Sequence, residues 1–146
     1  MSVLELIEKE WGEDSQIEEI DLSAETRKTA KLHNKYHKYY NGACRRLKEL
    51  ESERARLTFL KTDYYLGNLD KDTLQEKGWK PFKRVVIKTD LPLFLAADEE
   101  MIALNLKISD QDQVVKFLES IIRSINNRGY HIRNIIDYEK FINGDR

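Results

Sequence analysis

Between Ser23 and Gly67 the sequence holds no proline and one glycine, Gly42, and an apolar seam runs through the whole stretch. Tyr36, Tyr40, Ala43, Leu47, Leu50, Arg54, Leu57, Lys61 and Tyr64 are separated by alternating steps of four and three residues. That repeat keeps one face of a helix against a partner. Ser23 is a good N-cap and Gly67 a natural stop, so the spacing predicts one helix over about residues 24–66. At ~1.5 Å per residue such a helix is roughly 65 Å long. A compact chain of this size has a radius of gyration of only ~15 Å. Either Asn41-Gly42 breaks the helix into a hairpin, or the helix projects and finds partners. The heptad pattern favours partners. Two late seam positions are basic, Arg54 and Lys61, which a dry two-stranded coil tolerates poorly. A wider helical ring or barrel could turn that end toward a lumen or a polyanion.

A second long helix is predicted over about residues 99–127, capped by Asp98. Met101, Leu104, Ile108, Gln111, Val115, Leu118, Ile122 and Ile125 carry the same repeat, and Ile102, Leu106, Val114, Phe117 and Ile121 line an adjacent face. This stripe is wider than a two-stranded coil needs, so Leu104, Ile108, Val115, Leu118, Ile122 and Ile125 are expected to bury an oligomer core. Gly129 should end the helix, and a last helix should hold Ile132, Ile135, Ile136, Phe141 and Ile142. At the other end, Ser2 and Glu5 have the spacing of a capping box. Leu4, Ile7 and Trp11 follow at helical spacing up to a stop at Gly12, and then a loop with Glu13, Asp14, Glu18 and Glu19. Asp70 to Gly78 reads as a short helix and Val85-Val86-Ile87 as a brief extended piece.

The expected fold is therefore mainly α: two long amphipathic helices plus short flanking helices, assembling into a ring-like or barrel-like helical oligomer. Four segments are expected: an acidic N-terminal segment (1–22), a long basic helix (23–67), an irregular linker arm (68–97) and a C-terminal helical oligomerisation region (98–146). With 2 prolines and 6 glycines in 146 residues, the composition argues against a collagen-like chain, a disordered Pro/Gly linker or a many-turn β-sandwich.

The net charge of −1 hides a strong asymmetry. Residues 1–26 sum to −8 and residues 27–62 to +8; residues 77–90 add +4 and residues 91–119 add −4. A basic block of this kind suits nucleic acid or an anionic membrane, or is a solvated helix face. The single cysteine, Cys44, rules out an intramolecular disulfide and fits a reducing cytoplasm. No apolar run approaches the ~18 residues of a membrane span, and the start lacks the pattern of a signal peptide. A soluble, cytoplasmic protein is expected, with no membrane partner.

Signatures of catalysis are sparse. There is no Gly-x-x-x-x-Gly-Lys-Ser/Thr loop, no Gly-x-Gly-x-x-Gly after a strand, and no paired-cysteine zinc pattern. His33 and His37 stand one turn apart and could share a metal, but no third ligand is evident. His131, just past a helix stop, reads as a local hydrogen-bonding residue. No enzyme, metal or cofactor is expected.

The informative stretch is Lys31-Leu32-His33-Asn34-Lys35-Tyr36-His37-Lys38-Tyr39-Tyr40, followed by Arg45, Arg46, Lys48, Arg54, Arg56 and Lys61. Single-stranded nucleic acid is held by cations along its phosphates and aromatic rings under its bases, and Lys, Arg and Tyr on helices supply both. The nominated DNA contacts are Lys31, Lys35, Lys38, Arg45, Arg46, Arg54, Arg56 and Lys61. Tyr36 and Tyr40, which lie in the seam, read as core rather than stacking residues. A scaffold or adaptor coiled coil that binds no DNA is the rival reading.

Three ordered segments resemble the UvsY-like family of tailed-phage recombination mediators. They are Lys61-Thr62-Asp63-Tyr64-Tyr65-Leu66-Gly67, Leu95-Ala96-Ala97-Asp98-Glu99-Glu100, and Ile125-Asn126-Asn127-Arg128-Gly129-Tyr130-His131-Ile132. Order and spacing match from about residue 27 onward. The resemblance implies a helical protein that forms a ring-like homo-oligomer, a heptamer in the family. It implies sequence-independent binding of single-stranded DNA. It also implies loading of the phage recombinase onto DNA coated by a single-strand-binding protein, inside the infected bacterial cell. Carried over, Lys61 matches a basic DNA-contact position. A second basic family position, two residues earlier, is Phe59 in this chain, with Arg54 and Arg56 upstream to compensate.

Overall fold

The computed structural model describes residues 1–144. Five helices make up the fold: α1 (Val3–Asp14), α2 (Leu22–Tyr65), α3 (Lys71–Lys77), α4 (Leu91–Ala97) and α5 (Glu99–Ile142). There is no strand among the described residues.

α1 begins as its capping box dictates: Ser2 Oγ accepts from the Glu5 N–H and Glu5 accepts from the Ser2 N–H. It runs past Gly12 to Asp14, so Glu13 and Asp14 belong to the helix rather than to the acidic loop. α2 is unbroken through Asn41-Gly42, which removes the hairpin alternative. Its cap is Asp21 rather than Ser23: the Asp21 carboxylate accepts from the Ala24 N–H at 3.1 Å, while Ser23 Oγ accepts from Arg27. Gly67 ends it with φ +78°, a left-handed conformation that favours glycine. Asp98 caps α5 as expected, accepting from the Met101 N–H at 2.9 Å. Gly129 does not stop α5, which continues to Ile142 as one helix.

The chain forms two compact units: residues 1–45 with 112–146, and residues 46–111. Each unit takes part of α2 and part of α5.

In the first unit, the N-terminal half of α2 lies antiparallel to the C-terminal half of α5. Arg128 reaches Glu25 and Thr29, and Tyr40 donates to Glu119. Ile7, Leu32, Tyr36, Val114, Val115, Leu118, Ile121, Ile125 and Ile132 form its buried apolar interior. In the second unit, the C-terminal half of α2 meets the N-terminal half of α5 the same way, around Leu50, Leu104 and Ile108 with Leu47 and Leu57. The heptad seam of α2 is thus a packing face covered within the chain: by α5 around Leu47, Leu50 and Leu57, by α1 at Tyr36, and by Trp79 at Tyr64. The stripe of α5 packs in the same way. Leu104, Ile108, Val115, Leu118 and Ile125 are buried within a single chain and Ile122 is half-buried. Leu118 has no exposed surface.

Residues 68–97 are more structured than a loose arm. They hold α3 and α4, and their aromatic rings cap the end of α2. Trp79 packs on Tyr64 at 5.3 Å between ring centroids, and Phe82 packs on Tyr65 at 4.9 Å and on Phe94 at 5.8 Å. In the 85–87 piece Val86 is buried while Val85 and Ile87 are exposed, the alternation of an extended chain.

Candidate nucleic-acid interface

The basic residues of α2 separate into two groups according to what surrounds them. In the first unit, Lys35 is drawn inward by α1: its Nζ lies 2.6 Å from Asp14 and 3.5 Å from Glu10. Tyr36, fully buried, donates to the same Asp14 oxygen at 2.8 Å. Burial pushes the Asp14 carboxyl up, but the hydrogen bonds from Lys35 and Tyr36 outweigh it and leave the pKa below the ordinary value. Burial, then the bond to Asp14, raises the Tyr36 hydroxyl. Lys28 pairs with Glu25 at 3.0 Å. Lys31 and Lys38 remain exposed without a carboxylate partner among the described residues, and Arg45 is exposed as well.

In the second unit, Arg46 spans Glu49 at 3.5 Å and Glu53 at 4.0 Å. Arg54 is half-buried and donates to Asn105 at 3.3 Å. Lys48 and Arg56 are exposed with no carboxylate partner among the described residues; the Arg56 Nε–H donates to the Ser52 carbonyl.

Lys61 is the most enclosed of the nominated contacts. Its side chain is 6% exposed, with Nζ 3.0 Å from Asp98, 3.5 Å from Glu100 and 3.9 Å from the centre of the Trp79 ring. A cation so enclosed is paired within the chain. Around it, an open cleft is lined by Asp98, Glu99 and Glu100 as well as Lys61, Tyr64, Tyr65, Phe82 and Ala97.

Of the eight nominated contacts, Lys31, Lys38, Arg45, Arg46 and Arg56 are exposed, Arg46 being also in ion pairs and Arg45 not without a partner; Lys35 is half-buried in ion pairs, Arg54 binds Asn105, and Lys61 is buried. Lys48 belongs with the exposed group; its place in the basic stretch already marked it. Sequence reasoning gave no weight to Lys80, Lys83, Arg84 and Lys88, all exposed between α3 and α4, although the +4 balance of residues 77–90 was the available signal. His33 and His37 stand 5.3 Å apart between ring centroids, and no group of three or more potential metal ligands occurs among the described residues. No described helix is long and apolar enough to cross a membrane.

Known structures share this architecture. One crystal form of the bacteriophage T4 recombination mediator protein UvsY superposes with a TM-score of 0.84 at 19% identity, covering 96% of this chain and 99% of that one. A second crystal form gives 0.83 at 20% identity, with 97% of each chain covered. At that identity the likeness is one of fold. A search of curated protein sequences gives no match. The model of a protein family described as "Recombination, repair and ssDNA binding protein UvsY" matches residues 10–145. Fold and sequence together place the molecule among the helical proteins of DNA recombination and repair. The chain belongs to the UvsY family, whose description names single-stranded DNA as the ligand.

Proposed function

We propose that this protein is a recombination mediator that loads a phage recombinase onto single-stranded DNA coated by a single-strand-binding protein. The observation that carries the reading is the set of cations on α2 left exposed and without carboxylate partners among the described residues: Lys31, Lys38, Lys48 and Arg56. In a member of a single-stranded-DNA-binding family, these groups can neutralise phosphates without first breaking an internal ion pair. Arg45, exposed but not free of partners, supports that set together with Lys35, Arg46 and Arg54, each at the cost of its present contacts; Lys61 has a structural part. The mediator acts as a homo-oligomer, a ring of heptameric order by family likeness. Its subunit contacts come from apolar groups that the chain leaves exposed, such as Ile102 and Leu106 on α5, rather than from the buried stripe. Several equivalent basic faces raise avidity for one strand without tight single contacts. Holding the strand then weakens the grip of the coating protein while the recombinase is kept near.

Fluorescence-anisotropy titration with oligo-dT across a salt series, with light scattering for subunit number, tests this. The expected result is an assembled protein whose affinity falls steeply with salt. An assembled protein with no affinity for DNA would leave the scaffold reading.

A further inference from the structure

We propose that Phe59 is a base-stacking residue, a ring on which one base of the bound strand sits while cations nearer the start of α2, on the same face, hold phosphates of that strand. The inference rests on the single-stranded-DNA reading above and adds to it a residue and a kind of contact.

Phe59 is 71% exposed. It is the exception among the aromatic side chains of its unit. Tyr64, Tyr65, Trp79, Phe82 and Phe94 form one continuous ring cluster. Phe59 makes no ring–ring or cation–ring contact among the described residues. It stands on α2 opposite the seam. At 100° per residue, Lys48, Ser52, Ala55 and Arg56 fall within about 60° of it around the helix. Of the carboxylates of this part of α2, Asp63 alone falls in that arc, one turn on, and it is half-buried. Lys48 and Arg56 are exposed and have no carboxylate partner among the described residues.

The neighbours decide which partner suits the ring. A helix from another subunit needs a broad apolar patch, and here the exposed residues that share the face of the ring are Lys48, Ser52, Ala55 and Arg56, while Thr62, Asp63 and Leu66 on the same arc are half-buried. A polyanion with π faces matches the arrangement on both counts: each base offers a face whatever its identity, and each phosphate takes a cation. Phe59 thus supplies the sequence-tolerant stacking part of an interface whose electrostatic part comes from Lys48 and Arg56.

The test compares the full-length wild type with Phe59→Ala, Phe59→Leu and Phe59→Trp on two labelled strands of equal length, oligo-dT and an abasic oligomer. Phe59→Ala and Phe59→Leu should each lose about tenfold in affinity for oligo-dT. They should be unchanged on the abasic strand and keep the wild-type salt dependence, because no charge is removed. Phe59→Trp should retain wild-type binding. Equal affinity of wild type and Phe59→Ala for oligo-dT would overturn the proposal. So would an equal loss on both strands, full binding by Phe59→Leu, or a changed subunit number by light scattering, which would put the ring in a protein contact. A wild type that binds neither strand would defeat the DNA reading itself, and this proposal with it.

Discussion

Lys61 Nζ lies 3.0 Å from an oxygen of Asp98, with the two side chains 6% and 5% exposed, and Tyr65 donates to that same oxygen at 2.6 Å. The pair ties the last turns of α2 to the start of α5, where Asp98 also caps the helix. Removing one partner strands the other charge in a buried place. Lys61→Ala is therefore expected to cost about 3–5 kcal/mol, read as a lowered midpoint in urea denaturation. Lys61→Met combined with Asp98→Asn should recover much of that loss, because Asn keeps the cap while both charges leave. Below its unfolding transition, Lys61→Ala should keep the wild-type salt dependence of DNA binding. A shallower slope would return Lys61 to the interface.

Arg128 plays the matching part in the first unit. Its guanidinium donates to the carboxylate and the backbone carbonyl of Glu25, and to Thr29 Oγ1 at 3.2 Å. Glu25 and Arg128 are 3% and 4% exposed. Lys28 remains beside Glu25 at 3.0 Å, so loss of the arginine leaves the carboxylate partly compensated. Arg128→Ala is expected to cost about 3 kcal/mol, at the lower end for a broken buried pair. Arg128→Lys should recover only part, since a point charge cannot bond three acceptors in a fork. A double-mutant cycle with Glu25→Gln measures the coupling, and a coupling near zero would contradict the pairing.

Much of this was written in the sequence, but not the partners. The Ser2–Glu5 capping box and the seam from Tyr36 to Tyr64 are local patterns, and both are present as read. A heptad repeat says that a face is covered and is silent on whether the cover is another chain or α5 of the same one. The same gap explains the site. Whether a lysine on α2 is available depends on an acid far along the chain: Asp14 for Lys35, Asp98 for Lys61. Neither lies within the i+3 or i+4 reach that sequence spacing can reveal. The +8 block was a sound pointer to a basic helix, and burial then removed some of its members.

Acid should loosen both units. Hydrogen bonds from Lys28 and then Arg128 outweigh burial and hold the Glu25 carboxyl below its ordinary value of 4.5. At Asp98, burial works upward but the bonds from Tyr65, the Met101 N–H and Lys61 outweigh it, leaving the group below 3.8. A carboxyl lowered on folding contributes stability that is complete above its unfolded pKa and is lost as pH falls through the folded one. The urea midpoint should thus be flat from neutral pH down to about 5 and fall below about 4.5. Glu25→Gln should make that decline shallower; an unchanged profile would show that the Glu25 pairing adds nothing.

The exposed and the paired cations of α2 should separate in a salt series. For single-stranded DNA the slope of log affinity against log salt changes by about 0.7 for each phosphate that the protein no longer neutralises. Lys31→Ala, Lys38→Ala, Lys48→Ala and Arg56→Ala should each flatten the slope with little effect on stability. Lys35→Ala should instead lower stability, because it leaves Asp14 with Tyr36 alone. If the four exposed positions left the slope unchanged, DNA would bind elsewhere, and the exposed Lys80, Lys83, Arg84 and Lys88 would be the next basic set to replace.

The glycines give a prediction of opposite sign along one chain. Gly42 and Gly129 both lie inside continuous helices, and a Cβ built at either meets nothing within 4 Å. Glycine in a helix interior costs roughly 0.5–1 kcal/mol relative to alanine, because it loses more backbone freedom on folding. Gly42→Ala and Gly129→Ala should each stabilise the protein by about that amount. Gly67 also has open space around it, but its φ is +78°. There alanine must adopt a left-handed conformation that costs roughly 1–2 kcal/mol, so Gly67→Ala should destabilise. Thermal unfolding of the three variants checks both signs. The decisive one is Gly129: if α5 ended there, as the sequence alone suggested, alanine would destabilise in the manner of Gly67, and a raised melting temperature is the mark of one uninterrupted helix.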